Sequence, residues 1–234
     1  MTDGTAHQAS ARTRWLEFAA LFIGIPLLVR FAPGIARTAG VPGFRLPVIP
    51  VLAVAALASY IYMRTSGALK ASDVFSLGSS TRGDWLLVVV RFLCFAVLLW
   101  ALLAVRMPEA LFALPRRSLR LWAMVMVFYP IASVLAQGIV YRAFFMKRYS
   151  SMFPQVLRIV AGAAVFSFGH IAFANPIALV FTFIGGLMFL STYAKSGSLL
   201  LSGVEHALYG DLIFTLGWGS YFFHAGTLNM MSGS

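Results

Sequence analysis

The stretch LLLSGVEHALYGDLIFTLGWGSYFF, residues 199–223, decides how this chain folds. It is apolar over a length that an α-helix of about 20 residues needs to cross a bilayer. Even so, it carries Glu205 and His206 in its interior. A charged side chain at bilayer depth costs about 2.5–3.5 kcal/mol on insertion scales, so such groups persist where they face a polar cavity or perform a task. The stretch reads either as one long helix or as a helix followed by a shorter piece broken after Gly210.

Working outward, the same apolar texture recurs along the chain. Spans are expected at about Trp15–Phe31, Pro47–Met63, Trp85–Val105, Leu121–Met146, Val156–Ala174 and Ile177–Tyr193, ahead of Leu199–Phe223. Pro33, Gly34, Gly40, Pro42 and Gly43 mark the first loop, and Asn175-Pro176 separates the fifth span from the sixth. Residues 1–13 are polar and are expected to be irregular. Arg12 and Arg14 ahead of an apolar run resemble a signal sequence, but further spans follow and the first is read as uncleaved.

Composition agrees. Hydrophobic residues make up 60% of the 234 and charged residues 11%, against about 25% charged in a soluble domain. The fold expected is an all-α, polytopic transmembrane helical bundle of about seven or eight helices. Residues 1–118 form an N-terminal tail and three transmembrane helices, 119–224 a helical core, and 225–234 a C-terminal tail. The single cysteine, Cys94, excludes an internal disulfide.

The net charge of +11 does not indicate nucleic-acid binding. Lys and Arg are spread over the loops and helix ends, where they fix orientation against anionic lipid. With seven spans the N-terminal side collects about nine of them and the other side about seven. The expectation is a multi-pass protein of the cytoplasmic membrane with its N-terminus in the cytoplasm, the lipid bilayer its first partner.

Three polar features mark the C-terminal half: Gln137-Gly138-Ile139-Val140-Tyr141-Arg142, Phe166-Ser167-Phe168-Gly169-His170, and Glu205-His206-Ala207-Leu208-Tyr209-Gly210-Asp211. Phe166 precedes His170 by one helical turn and shares its face. Gly203, Gly210 and Gly217 recur every seven residues as a narrow stripe that admits a neighbouring helix. His206 falls on that stripe, and Glu205 points about 100° away. Each polar residue also has a packing reading: a satisfied core histidine at 170, a buried polar pair at 205–206, an Arg142 snorkelling to the interface. Asn175 and Asp211 read as loop or cap residues.

The order and type of these motifs resemble the CAAX protease and bacteriocin-processing (CPBP, or ABI) family of intramembrane proteases, over roughly residues 119–224. That family's pattern is Glu-Glu-x-x-x-Arg, then Phe-x-x-x-His, then His-x-x-x-Asn or Asp. Phe166, His170 and His206 fit it, as do Arg142 and the surrounding Tyr129-Pro130 and Arg142-Ala-Phe-Phe. The resemblance implies an intramembrane endopeptidase acting on a hydrophobic or lipid-modified peptide. In the family the first glutamate activates water, while the histidines and the Asn bind or polarise the scissile carbonyl. Here Gln137 and Gly138 stand at the two glutamate positions, and Gly210, followed by Asp211, at the last.

Two accounts follow. In one, Glu205 replaces the missing base, His170 and His206 position water, and Gln137 donates to the carbonyl oxygen, so that His170, Glu205, His206, Gln137 and Arg142 form the catalytic set. In the other, the fold is kept and the chemistry lost, giving a membrane scaffold or immunity-type protein. A third class, a small proton-coupled transporter relaying through Glu205 and the histidines, predicts paired broken helices. No cofactor is certain, and a divalent metal is left open. A divalent metal would have only His170 and His206 as ligands, since the side chains of adjacent Glu205 and His206 diverge.

Overall fold

Apolar runs with polar residues at their ends satisfy every backbone group in hydrocarbon by coiling into helices. The computed structural model describes residues 3–222, with side chains from residue 11 onward. Among the described residues there are helices and turns but no strand. Seven helices are long and apolar enough to cross a membrane: α1 (Ala11–Thr38), α2 (Val48–Thr65), α3 (Arg82–Arg106), α4 (Leu119–Met152), α5 (Gln155–Phe173), α6 (Pro176–Ser196) and α7 (Leu199–Leu216). The polar leader is not irregular: helix begins at Asp3 and runs into α1. The expected tail, 225–234, lies outside the described residues.

Successive spans run in opposite directions, so the start of α1 shares one face of the bundle with the ends of α2, α4 and α6. On this N-terminal face Arg148 grips Glu17 through Nε (2.8 Å) and Nη2 (2.5 Å) and also bonds the Tyr62 hydroxyl. The loop before α3 folds over the α6–α7 turn, with Ser79 donating from its amide to the Ser196 carbonyl at 2.8 Å and Ser198 Oγ to the Ser76 carbonyl at 2.8 Å. Gly78 is needed there, because a Cβ would come within 2.5 Å of the Ser196 oxygen at a φ of +58°. Thr81 and Asp84 cap α3 reciprocally, and Lys195 at the end of α6 reaches Asp84 at 2.7 Å.

Small residues set the tightest seam. A Cβ on Gly162 of α5 would meet Leu190 at 2.0 Å, and one on Gly186 of α6 would meet the Ala163 backbone at 2.9 Å. Here α5 and α6 touch along their backbones, as membrane helices do where side chains are absent. The large apolar side chains left exposed, such as Leu16, Val54, Val97, Val105 and Ile131, face outward as a lipid-contacting surface should.

Of the two readings of the last span the long helix is found: α7 runs unbroken past Gly210 and ends at Gly217, whose φ of +122° and close approach to the Ala110 carbonyl admit no side chain. The glycine stripe is not one packing surface: Gly203 meets nothing within 4 Å, Gly210 lies under the Tyr129 ring, and Gly217 is a turn. Asp211 is neither loop nor cap, because it sits inside α7, half-buried, with Oδ1 lacking a hydrogen-bond partner. Asn175 does cap α6, accepting from the Ile177 amide at 2.9 Å.

Helix α4 is the least regular span. Wide turns occupy Tyr129–Val134 and Ile139–Tyr149, with the Leu135 amide reaching back five residues to Pro130 and that of Ser150 to Phe145. Pro130 cannot donate to the turn before it, which accounts for the first of these. Such wide turns rotate side chains relative to a regular helix and concentrate at functional positions. Gln137 and Arg142 project from this span.

Candidate functional site

A chamber of about 720 Å³ opens between α3, α4, α5, α6 and α7, with the start of α2 at its edge. It draws on the start of α2, the second half of α3, the first half of α4, the end of α5 and the first two-thirds of α6, so it lies toward the side of the bundle away from the N-terminal face. Its walls are largely hydrocarbon and aromatic: Leu98, Leu102, Met124, Phe128, Ile184 and Ile213 among them. The polar lining is short: Tyr129, Ser133, Gln137, His170, His206 and Tyr209, with Thr182, whose hydroxyl donates to the Ala178 carbonyl at 2.7 Å.

His206 is the hub. Its Nδ1 lies 3.2 Å from Arg142 Nη1 and its Nε2 lies 3.1 Å from the Tyr129 hydroxyl. Its ring stacks on Phe189 at 4.5 Å and meets the edge of Phe166 at 5.4 Å. A guanidinium has donors only, so Nδ1 must accept. The neutral ring then carries its hydrogen on Nε2 and donates it to the Tyr129 oxygen. The Tyr129 hydrogen is left free of the histidine and available to the chamber that this side chain lines.

Arg142 does not snorkel. Its side chain is buried, donating to His206 and to the Val134 carbonyl at 3.3 Å, with the guanidinium 5.9 Å from the Phe189 ring centre. Gly138 makes room for it, since a Cβ there would stand 2.5 Å from Arg142 Nη2. The guanidinium thus fills the space one turn below itself that a side chain at 138 would otherwise take.

Gln137 is buried, donating through Nε2 to Ser133 Oγ at 2.6 Å, while its Oε1 has no partner. His170 is not inside a helix: it stands where the α-helical part of α5 gives way to the tight turn Ile171–Phe173. Its Nδ1–H donates to the Phe166 carbonyl at 2.7 Å, which leaves the Nε2 lone pair unengaged. Phe166 lies 4.8 Å from the His170 ring and touches both imidazoles.

Glu205 stands apart from this group. It is fully buried, does not line the chamber, and faces Arg91 of α3 with an Oε1–Nη1 separation of 3.6 Å. Arg91 also donates to Thr192 Oγ1 at 3.3 Å, tying α3, α6 and α7 together. Gln137, His170 and His206 therefore converge on one chamber with Arg142 immediately behind, and Glu205 does not. Among the described residues no three His, Cys, Asp or Glu side chains form a group able to hold a metal ion. His206 has both ring nitrogens engaged, so a two-histidine metal site does not fit the residues present.

Sequence reasoning missed two members of the site. Tyr129 was legible only as an aromatic beside a proline, and its partner His206 is 77 positions away. Phe189 looked like one of many span phenylalanines, and only the folded structure stacks it on His206. Arg91 was a further signal overlooked, a basic residue inside an apolar run that pointed to a buried acid.

Residues 115–210 match the family described as type II CAAX prenyl endopeptidase, Rce1-like. The matched stretch starts just before α4, ends within α7 and contains Gln137, Arg142, His170, Glu205 and His206, so the resemblance read from the motifs holds over this core. No curated protein and no solved structure matches the chain.

Proposed function

We propose that this CAAX-protease-like membrane protein receives the hydrophobic or lipid-modified end of a peptide in its chamber and holds it there without cutting it. The observation that carries this reading is the separation of carboxylate from chamber. General-base catalysis needs the base in contact with the attacking water or one water away. The polar lining of the chamber offers Tyr129, Ser133, Gln137, His170 and His206, whereas Glu205 and Asp211 lie outside it. Glu205 serves as counter-ion to the arginines rather than as replacement base. The volume and apolar walls suit a long hydrocarbon, and ligand pockets fall in the range of about 300–1,000 Å³. The Tyr129 hydrogen and the unmet acceptors of Gln137 and His170 complement the carbonyl and N–H of an amide.

One observation favours a second reading, the endopeptidase with an altered base: the His170 Nε2 lone pair is unengaged at the chamber wall. In that reading His170 takes a proton from water while Tyr129 polarises the carbonyl. The slight excess of basic residues on the N-terminal face supports a cytoplasmic N-terminus, with the chamber opening toward the opposite side.

The test uses purified full-length protein in liposomes and a photoreactive lipidated peptide, with mass spectrometry reporting both cross-link position and cleavage. Cross-links to the chamber walls, competed by unlabelled peptide and without product, are expected. Cleavage that disappears in His170→Ala would establish the endopeptidase instead. Labelling confined to the lipid-facing surface would end both readings.

A further inference from the structure

A second cavity, of about 580 Å³, lies on the N-terminal face where α1, α2 and α4 meet, with Thr13, Arg14, Tyr62, Ser66, Lys147 and Arg148 on its walls. Three cations share it, and they are not equivalent. Arg148 is neutralised by Glu17 and lies against the Tyr62 ring, 4.5 Å from its centre. Among the described residues, neither Arg14 nor Lys147 forms an ion pair. Among the described residues the crevice therefore carries two positive charges with no acid paired to them, beside the Tyr62 hydroxyl and a Ser66 hydroxyl that donates to the Met63 carbonyl at 3.3 Å.

Its depth is set by its neighbours. Arg14 begins the apolar part of α1, Ser66 directly follows the end of α2, and Lys147 and Arg148 lie in the last turns of α4. Trp15, half exposed and packed edge-on against Phe153 at 5.6 Å, stands at the same level, where amphipathic aromatic rings mark the bilayer–water boundary. An anion that fits here presents phosphate oxygens to two cations and to the Tyr62 hydroxyl, which accepts from Arg148 and keeps its own hydrogen to donate, with hydrocarbon below it.

We infer that the Arg14–Lys147 crevice is a binding site for the phosphate headgroup of an anionic phospholipid, on the face of the bundle opposite the chamber. Basic recesses between transmembrane helices recognise headgroups in this way, and each cation in contact with the held headgroup contributes a roughly fivefold preference for anionic lipid, which a cation outside the recess does not add to a lipid retained there. This inference does not depend on what the chamber binds.

The experiment measures retention of phosphatidylglycerol relative to phosphatidylcholine by native mass spectrometry of the full chain released from mixed-lipid nanodiscs. Thermal melting in detergent, with and without inorganic phosphate, forms the second arm. The wild-type protein is expected to retain phosphatidylglycerol preferentially, and the double variant Arg14→Gln/Lys147→Gln to lose about 25-fold of that preference. A control pair on the same face but outside the crevice, Arg64→Gln/Lys70→Gln, should leave it intact, and circular dichroism should show both variants folded. Equal retention by wild type and the crevice variant, or an equal loss in the control pair, overturns the site. Stabilisation by inorganic phosphate without a preference for phosphatidylglycerol overturns the headgroup and leaves a site for soluble phosphate.

Discussion

Gln137→Glu puts a carboxylate in the chamber's polar lining with almost no change of shape, and so asks directly whether a missing base is why the chain should bind without cutting. Gln137 lines the chamber, is buried, and bonds Ser133 Oγ at 2.6 Å through its nitrogen. In the variant the Ser133 hydroxyl turns round and donates to a carboxylate oxygen. A charge at this depth costs about 2.5–3.5 kcal/mol on insertion scales, and one hydrogen bond to a charged group returns about 1.5–3 kcal/mol. The net penalty is therefore about 1 kcal/mol, which the bundle should tolerate. A positioned general base contributes typically 10²–10⁴-fold. The folded variant in liposomes is therefore expected to cleave a lipidated peptide at least about 10²-fold above a wild-type baseline that is flat, as followed by mass spectrometry of the product. A variant that folds, binds peptide with wild-type affinity and still yields no product would refute the reasoning.

Tyr129→Phe keeps the ring over Gly210 and against Phe214 but removes the acceptor of the His206 Nε2 hydrogen and the donor offered to the chamber. It should weaken binding of an amide-bearing lipid about 2- to 12-fold, as one neutral hydrogen bond of about 0.5–1.5 kcal/mol requires, while an amide-free analogue binds unchanged in the same competition assay. Glu205→Gln strips the carboxylate that faces Arg91 and should lower stability by about 3 kcal/mol, within the range for breaking a buried pair, without altering peptide binding; a loss of binding in a folded variant would return Glu205 to the site. Gly186→Val places branched carbons where a single Cβ already meets the Ala163 backbone at 2.9 Å, so α5 and α6 must separate, and melting in detergent should report a loss of at least 1–3 kcal/mol.

Much of this architecture was legible because the bilayer permits few solutions. Seven apolar runs bounded by arginine, lysine, proline and glycine correspond to seven spans, and Phe166-x-x-x-His170 with His206 marks two of the chamber's walls in the sequence itself. What stayed hidden was azimuth. Adjacent residues 205 and 206 differ by about 100° of helix, and nothing in the one-dimensional pattern says which of the two directions is the cavity. The folded structure gives it to the histidine. The wide turns of α4 were equally unreadable, because a five-residue reach in the backbone leaves the apolar texture unchanged while rotating Gln137 and Arg142 relative to Tyr129. The break at Gly217 rather than Gly210 follows from a contact with Ala110 more than a hundred residues earlier, which only tertiary structure supplies.

The expensive carboxylate at 205 then has a reason that does not involve catalysis. Two arginines lie inside the bundle, Arg91 on α3 and Arg142 on α4. Gly138, which gives Arg142 its space, also leaves it without an acidic residue one turn away with which to pair. Arg142 finds only neutral acceptors, the Val134 carbonyl and His206 Nδ1, for its hydrogen bonds. Glu205 is in direct contact range of Arg91 and within electrostatic reach of Arg142, so a single buried anion serves one half-buried and one buried cation. Its neighbour His206 passes the influence of Arg142 on to Tyr129 by the donor–acceptor order of one imidazole. A glycine at 138, an arginine that turns toward a histidine, a histidine held in one tautomer and a glutamate facing away from the chamber are therefore parts of one electrostatic arrangement. A carboxylate introduced at 138 would compete for the same guanidinium and undo each of them in turn.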